Sequence, residues 1–265
     1  MNTGDPLVVL NSVSMVYGAG VAAVTAVENL TLTLHKGEFA AVVGPSGCGK
    51  SSMMKLISGL MPVASGSLTL EGAPIAGPIS KVGMAFQASN LLPWRTAVDN
   101  VLLPLEIVQP HRSKMGSEKQ FYRAKAKLLL ESVGLKGFTE KFPWQLSGGM
   151  QQRTSICRAL IHEPEILLLD EPFSALDAFT REELWCMMRD LHAQKGITAL
   201  LVTHDLREAV FLCDTVYVMS DRPGKIVKVQ KVDLPRPREL DVTYTPHFQE
   251  LVQQLRSHIA RHYLT

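Results

Sequence analysis

The run from Gly44 to Ser51 reads GPSGCGKS, and its reading decides the fold. Just before it, Glu38–Val43 (EFAAVV) is a short apolar run with the character of a buried strand. Just after it, SSMMKLISGL has helical spacing, with Met53, Met54, Ile57 and Leu60 on one face and Gly59 near the end. A strand, a glycine-rich turn and a helix are the setting that the pattern G-x-x-x-x-G-K-[ST] requires. Glycines let the loop curl until backbone N–H groups converge on an anion. The helix adds its positive N-terminal end at the same place. Gly44, Pro45, Ser46, Gly47, Cys48, Gly49 and Ser52 are therefore expected around a bound phosphate chain. Lys50 can reach the outer phosphates of a nucleotide such as ATP, and the Ser51 hydroxyl can ligate Mg2+. Ordinary residue frequencies put a chance match in a chain of this length at roughly one in a hundred.

Outward from this loop, short apolar strands alternate with amphipathic helices. Leu7–Leu10 and Val13–Val16 are apolar, with a turn at Gly18–Gly20, and Leu30–Leu34 alternates as a strand does. Ser67–Leu70, Val82–Phe86, Glu165–Leu169, Ile197–Val202 and Val216–Met219 also read as strands. Helical patterns cover Ser117–Val133, the stretch from Gly148 to about His162, Arg181–Gln194 and Leu206–Cys213. In the first of these, Leu128, Leu129 and Val133 are expected to face inward and Arg123, Lys125 and Lys127 to face water. Such alternation predicts an α/β fold with a buried, largely parallel sheet. The stretch from about Trp94 to Gln145 breaks the alternation and reads as an inserted helical lobe. Near the end, Phe248, Leu251, Val252, Leu255 and Ile259 mark an amphipathic helix, expected to pack on its own domain.

Two further segments bear on chemistry. Glu165–Pro172 reads EILLLDEP, an apolar strand ending in two acids. Asp170 can hold a magnesium ion, directly or through water, and Glu171 can orient or deprotonate a water molecule. Leu146–Gln152 reads LSGGMQQ, in which Ser147, Gly148 and Gly149 offer a hydroxyl and backbone N–H groups at a helix start. Each segment alone would fit an ordinary turn.

Bulk properties narrow the class. The 265 residues are 46% hydrophobic and 20% charged, with a net charge of +2. That balance is globular, and it lacks the basic excess of a nucleic-acid binder. Cys48, Cys157, Cys186 and Cys213 form no metal-finger spacing and read as free thiols in a reducing compartment. MNTGDPLVVL does not read as a signal peptide. No run reaches the roughly 18–20 apolar residues that cross a bilayer.

Taken in order, GPSGCGKS, LSGGM and ILLLDE resemble the Walker A, signature and Walker B motifs of the ABC ATPase family. The resemblance extends from about Val8 to Met219. Gln87, ending VGMAFQ, matches the Q-loop; Ser174-Ala175-Leu176-Asp177 matches the D-loop; His204, ending LLVTH, matches the switch histidine. Tyr17 lies where that family places an aromatic that stacks on adenine. The resemblance implies a P-loop NTPase fold with a RecA-like core sheet, an antiparallel β subdomain and an inserted α-helical subdomain. It implies an ATPase domain over 1–240, with the helical insertion at about 94–160, and a C-terminal amphipathic helix over 241–265.

The implied cofactors are ATP and Mg2+. Lys50, Glu171, His204 and Gln87 would be catalytic, Ser51, Gln87 and Asp170 would handle the metal, and Ser147, Gly148, Gly149 and Asp177 would complete the nucleotide site. In the family the signature motif contacts the ATP of a facing subunit, which implies a homodimer with two nucleotides at its interface. Met150 stands where LSGGQ is commonest. LSGGM, LLPWRTAVDNV after Gln87 and DRPGKI at Asp221–Ile226 are similar to the branch that serves importers of nitrate, sulfonates and taurine. That branch implies transmembrane permease subunits, a periplasmic solute-binding protein, no nucleic acid, and a peripheral place on the cytoplasmic face of the cell membrane.

Three alternatives stand beside the importer. An efflux or lipid-transport ATPase would share every motif named. A soluble repair ATPase of this kind needs a long coiled coil, for which the roughly one hundred residues between GPSGCGKS and LSGGM leave no room. Translation-linked members usually carry two cassettes, and this chain has one. A small-molecule kinase has no use for LSGGM, and would pass phosphate to an acceptor other than water.

Overall fold

The computed structural model describes residues 4–18, 20 and 23–263. The chain begins with strands β1 (Pro6–Tyr17), β2 (Val24–His35) and β3 (Phe39–Val43) and helix α1 (Lys50–Ile57). Strands β4 (Ser65–Leu70), β5 (Ala73–Pro74) and β6 (Val82–Ala85) follow. Next come helices α2 (Ala97–Leu102), α3 (His111–Lys114), α4 (Lys119–Ser132) and α5 (Gly148–Leu160). The remainder is β7 (Ile166–Asp170), α6 (Ala178–Lys195), β8 (Thr198–Thr203), α7 (Leu206–Leu212), β9 (Thr215–Met219), β10 (Ile226–Lys231) and α8 (Pro246–Tyr263). These elements form two compact units, Met1–Ile79 with Arg189–Thr265, and Ser80–Met188.

In the first unit an antiparallel sheet has the order β2-β1-β4-β5. A second set of strands has β3 between β8 and β9 and parallel to both, with β10 antiparallel on the far side of β9. Every residue of β3, β8 and β9 is buried. That is why these strands read as unbroken apolar runs and not as alternating ones. The two apolar pieces at Leu7–Leu10 and Val13–Val16 are one strand. The polar Asn11–Ser12 between them is a bulge, where the pairing register shifts and Ser12 takes φ 49°. The turn expected at Gly18–Gly20 includes residue 19, which lies outside the described residues.

Helix α1 ends at Ile57, with Ser58 as its C-cap. Leu60 therefore lies past the helix and is 55% exposed, and the inward face is Met53, Met54, Leu56 and Ile57. Helix α8 packs against α7 and β9 through buried Phe248, Leu251 and Leu255, while Val252 and Ile259 are half-buried. Arg238, in the segment before α8, is wholly enclosed. Its Nη1 donates to the carbonyls of Val210, Phe211 and Cys213 at 2.9, 3.1 and 2.8 Å. A cation at the C-terminal end of α7 meets the negative end of that helix's dipole.

In the second unit β6 and β7 run parallel, with Val82 level with Ile166 and Ala85 with Leu169. Between 94 and 145 the described residues form helices and turns only. The inward stripe of α4 is Tyr122, Ala126 and Leu130, continued by Val133; Leu129 is half-buried and Leu128 is 67% exposed. The 3.6-residue period selects that stripe, and apolar character alone misassigned the two leucines. The basic run on this helix is ion-paired rather than merely hydrated. Arg123 bridges Asp99 and Glu140, Lys127 also meets Glu140, and Lys125 meets Glu163.

Candidate functional site

The phosphate loop hangs between β3 and α1 as the sequence pattern requires. Gly47 and Gly49 adopt φ 79° and 109°, values that L residues with side chains rarely take. Their left-handed backbone turns successive N–H groups toward the loop's interior. A Cβ on Gly49 would also lie 2.7 Å from the carbonyl oxygen of Ala26. Lys50, the first residue of α1, is only 6% exposed. Its Nζ donates to the carbonyls of Gly44 and Pro45 at 2.8 and 2.7 Å, so the ammonium is curled over the loop it belongs to. Ser51 is exposed on the first turn of α1. Cys48 is buried, and that burial pushes its thiol up from the usual cysteine pKa, with Lys50 nearby opposing the shift.

Two neighbours frame the loop from within the same unit. The Tyr17 hydroxyl is 3.2 Å from the Ser52 hydroxyl, and Lys55 Nζ lies 5.8 Å from the centre of its ring. The end of β1 is thereby fixed to the first turns of α1. Strand β8 pairs Thr203 with Val43, so His204 leaves the sheet alongside Gly44 and stands exposed. Asp205 then caps α7, accepting from the backbone of Arg207 and Glu208 at 2.9 and 3.3 Å.

Local reading missed a third neighbour. Gly224, in the DRPGKI stretch, donates its N–H to Ala26 O at 3.0 Å, and its carbonyl accepts from Glu28 N at 3.1 Å. A Cβ there would meet the carbonyl oxygen of Cys48 at 2.1 Å. The loop before β10 thus backs the phosphate loop directly. The only signal in the sequence is a glycine in a turn, which does not say what it approaches.

The second unit assembles the other expected residues in two groups. Because Ala85 is level with Leu169, the segments carrying Gln87 and Asp170–Glu171 leave neighbouring parallel strands. Asp170 and Glu171 are half-buried, and Gln87 is exposed. Glu171 holds φ 46°, a left-handed backbone in a residue other than glycine, and its carbonyl accepts from the Ser174 hydroxyl at 2.9 Å.

The other group surrounds the start of α5. Ser147 caps this helix by accepting from Met150 N at 3.3 Å. Gly148 has room for a methyl group, whereas a Cβ on Gly149 would come 2.5 Å from Thr180 Cγ2. Gly149 is therefore needed for the close approach of α6. Asp177 accepts from Thr180 N at 3.1 Å, and that bond holds its carboxyl below the usual aspartate range.

Among the described residues no cluster of three His, Cys, Asp or Glu side chains could cage a metal by itself. Magnesium does not require one, since it typically takes one or two protein oxygens and completes its shell with water and phosphate. Ser51 in the first unit, and Gln87 and Asp170 in the second, each carry an oxygen of the hard kind that magnesium takes.

Comparison with known proteins bears on this arrangement. A family model described as ABC transporter matches residues 27–174. The chain is 41% identical over 239 residues to the aliphatic sulfonates import ATP-binding protein SsuB of Bacillus licheniformis, covering 90% of this chain and 89% of that protein. It is 43% identical over 203 residues to the taurine import ATP-binding protein TauB of Yersinia pestis bv. Antiqua, covering 77% of each. Among solved structures it resembles the ATP-binding cassette MJ0796 in a dimeric, post-hydrolysis state bound to ADP and Pi. That match has a TM-score of 0.72 at 30% identity, over 86% of this chain and 100% of the other.

Proposed function

This chain belongs to the ABC transporter family as an ATP-hydrolysing subunit, and on that premise we propose that two copies close head to tail around two ATP molecules to drive import of a small anionic solute. The observation that carries the reading is the pairing of functional segments on parallel strand ends. The phosphate loop and His204 share one unit; Gln87 and Asp170–Glu171 share the other.

The N–H groups of Gly44–Ser51 and the N-terminal end of α1 cradle the phosphates. Lys50 leaves its loop carbonyls to meet the γ-phosphate, exchanging two neutral acceptors for a charged one. Tyr17 stacks on the base. Ser51, Gln87 and Asp170 would hold Mg2+, which would supply neutralising charge to the phosphate oxygens. Glu171 orients the attacking water and accepts its proton on a carboxylate oxygen. His204 donates to the γ-phosphate, where negative charge develops. Ser147, Gly148, Gly149 and Asp177 serve the nucleotide held by the facing copy. ATP then favours the closed pair, and hydrolysis removes that preference.

Among the described residues no helix is long and apolar enough to cross a membrane. The relatives' names as import ATP-binding proteins support separate permease subunits that supply the transport path, with this chain peripheral on their cytoplasmic side and a periplasmic solute-binding protein delivering cargo. The names of the relatives support a sulfonate, taurine or similar solute.

Glu171→Gln tests the chemistry. The substitution keeps the side chain's size and removes its basicity. ATP should bind within about twofold of wild type while turnover falls by about a hundredfold or more, the upper part of what a general base contributes. Phosphate release at the wild-type rate would remove Glu171 from the mechanism.

A further inference from the structure

The segment that follows Gln87 is not a free loop. Gln152, 3% exposed, donates from Nε2 to Phe86 O at 3.0 Å. Arg158 donates from Nη1 to Asn90 O and from Nη2 to Ser89 O, each at 2.7 Å. The Ser89 hydroxyl donates to Gln151 Oε1 at 3.2 Å. Gln151 in turn donates from Nε2 to Pro143 O and Leu146 O at 3.0 and 3.2 Å. One glutamine side chain thus joins the loop after Gln87 to the strand of backbone that runs into Ser147. Farther along, fully buried Asn100 accepts from Leu92 N and donates to the carbonyls of Leu92, Arg95 and Thr96.

Arg158 is the unusual member of this set. Burial lowers its guanidinium pKa below the usual arginine value, and among the described residues no carboxylate pairs with it. Partly burying a cation costs free energy unless it is fully hydrogen-bonded. If only packing mattered, an apolar side chain of similar volume would serve at least as well. Here the cation is used on two successive carbonyls of one loop, immediately beyond a residue assigned to the reaction.

We propose that Arg158, with Gln151 and Gln152 beside it, is the positioning residue that makes Gln87 travel with helix α5. Ser147 caps that same helix, so any displacement of the signature turn reaches Gln87 through a rigid link. The loop cannot absorb the movement while its carbonyls at Phe86, Ser89 and Asn90 are held. This inference rests on the role given to Gln87 above.

The test uses the full chain with Arg158→Met, which keeps an apolar stem and removes the donors. Amide hydrogen exchange over residues 87–92 should rise at least tenfold, with exchange over the phosphate loop unchanged. ATP affinity and the KM for ATP should stay within twofold, while kcat falls about tenfold. Because both changes act through Gln87, the double variant R158M/Q87A should turn over no more slowly than Q87A alone. Arg158→Lys, which keeps one donor group, should recover part of the loss; it also replaces R158M if the melting temperature shows that R158M does not fold. Unchanged exchange over 87–92, or a double variant whose losses multiply, would overturn the proposal. If Q87A itself turns over like wild type, the role assigned to Gln87 fails, and with it the functional half of this inference; the exchange measurement still decides the tether.

Discussion

Gly224→Ala is a single methyl group placed behind the phosphate loop, and its effect can be worked from distances. The new Cβ would lie 2.1 Å from Cys48 O and 2.4 Å from Met219 Cε. The methionine end is flexible and can swing away. The carbonyl is backbone. A carbon sits no closer than about 3.3 Å to such an oxygen, so the Cys48 peptide has to retreat by about 1 Å. Gly224 cannot yield instead, because its N–H and C=O are both tied to β2, at Ala26 and Glu28. Overpacking of this kind costs about 1–3 kcal/mol. If the strain is relieved by tilting the Cys48 peptide, loop N–H groups turn away from the phosphates, and ATP affinity falls about 10- to 100-fold, or about 1.4–2.8 kcal/mol. Fluorescence anisotropy with a labelled ATP analogue measures this, with a melting curve beside it. Gly72→Ala is the control. It forces a side chain into φ 78° but meets no atom within 4 Å, so it should cost about 1–2 kcal/mol of stability and leave ATP binding alone. The reasoning is refuted if G224A binds ATP within twofold of wild type at an unchanged melting temperature, or if G72A weakens ATP as much.

Two further predictions concern stability. Arg238→Met removes the donors that satisfy the carbonyls of Val210, Phe211 and Cys213 beneath α7, leaving buried acceptors unpaired. Each carbonyl left unsatisfied costs about 1–3 kcal/mol, so a loss of about 3–5 kcal/mol is expected, or roughly 10 °C in melting temperature for a chain of this size; a shift under 2 °C would show that the guanidinium is dispensable. Tyr217 is buried, and desolvation, aided by the charge on Glu38, pushes its phenol up to about 12. Its raised folded-state pKa contributes stability that is fully present below pH 10 and is lost as pH rises toward 12, by roughly 2–3 kcal/mol. Urea titrations of wild type and Tyr217→Phe should therefore converge across that window, and parallel curves would contradict the assignment.

What could be read in the sequence was local chemistry with a fixed spacing. The loop GPSGCGKS announces its own conformation, because its glycines and lysine work within one strand–turn–helix unit. The cap at Ser147 and the acids that end β7 are legible for the same reason. Contacts that depend on distant partners left no such trace. Nothing around Gly224 shows that Cys48 lies against it, and nothing in RPREL shows that Arg238 will fill the end of α7. Arg123, Lys125 and Lys127 look like a solvated face until Asp99, Glu140 and Glu163 arrive from elsewhere in the fold. The bulge at Ser12 disguised one long strand as two, since a break in apolar alternation looks the same whether the chain ends a strand or kinks within it.

The central claim is that ATP itself joins two copies through the Ser147 turn. Sedimentation velocity on the Glu171→Gln chain with saturating ATP and Mg2+ measures this directly, since slowed hydrolysis preserves the joined state. The account predicts a species of twice the 29.2 kDa chain with ATP, the single chain without it, and the single chain again when Ser147→Arg is added. A single chain that carries ATP yet does not pair, or a pair indifferent to Ser147→Arg, would contradict it.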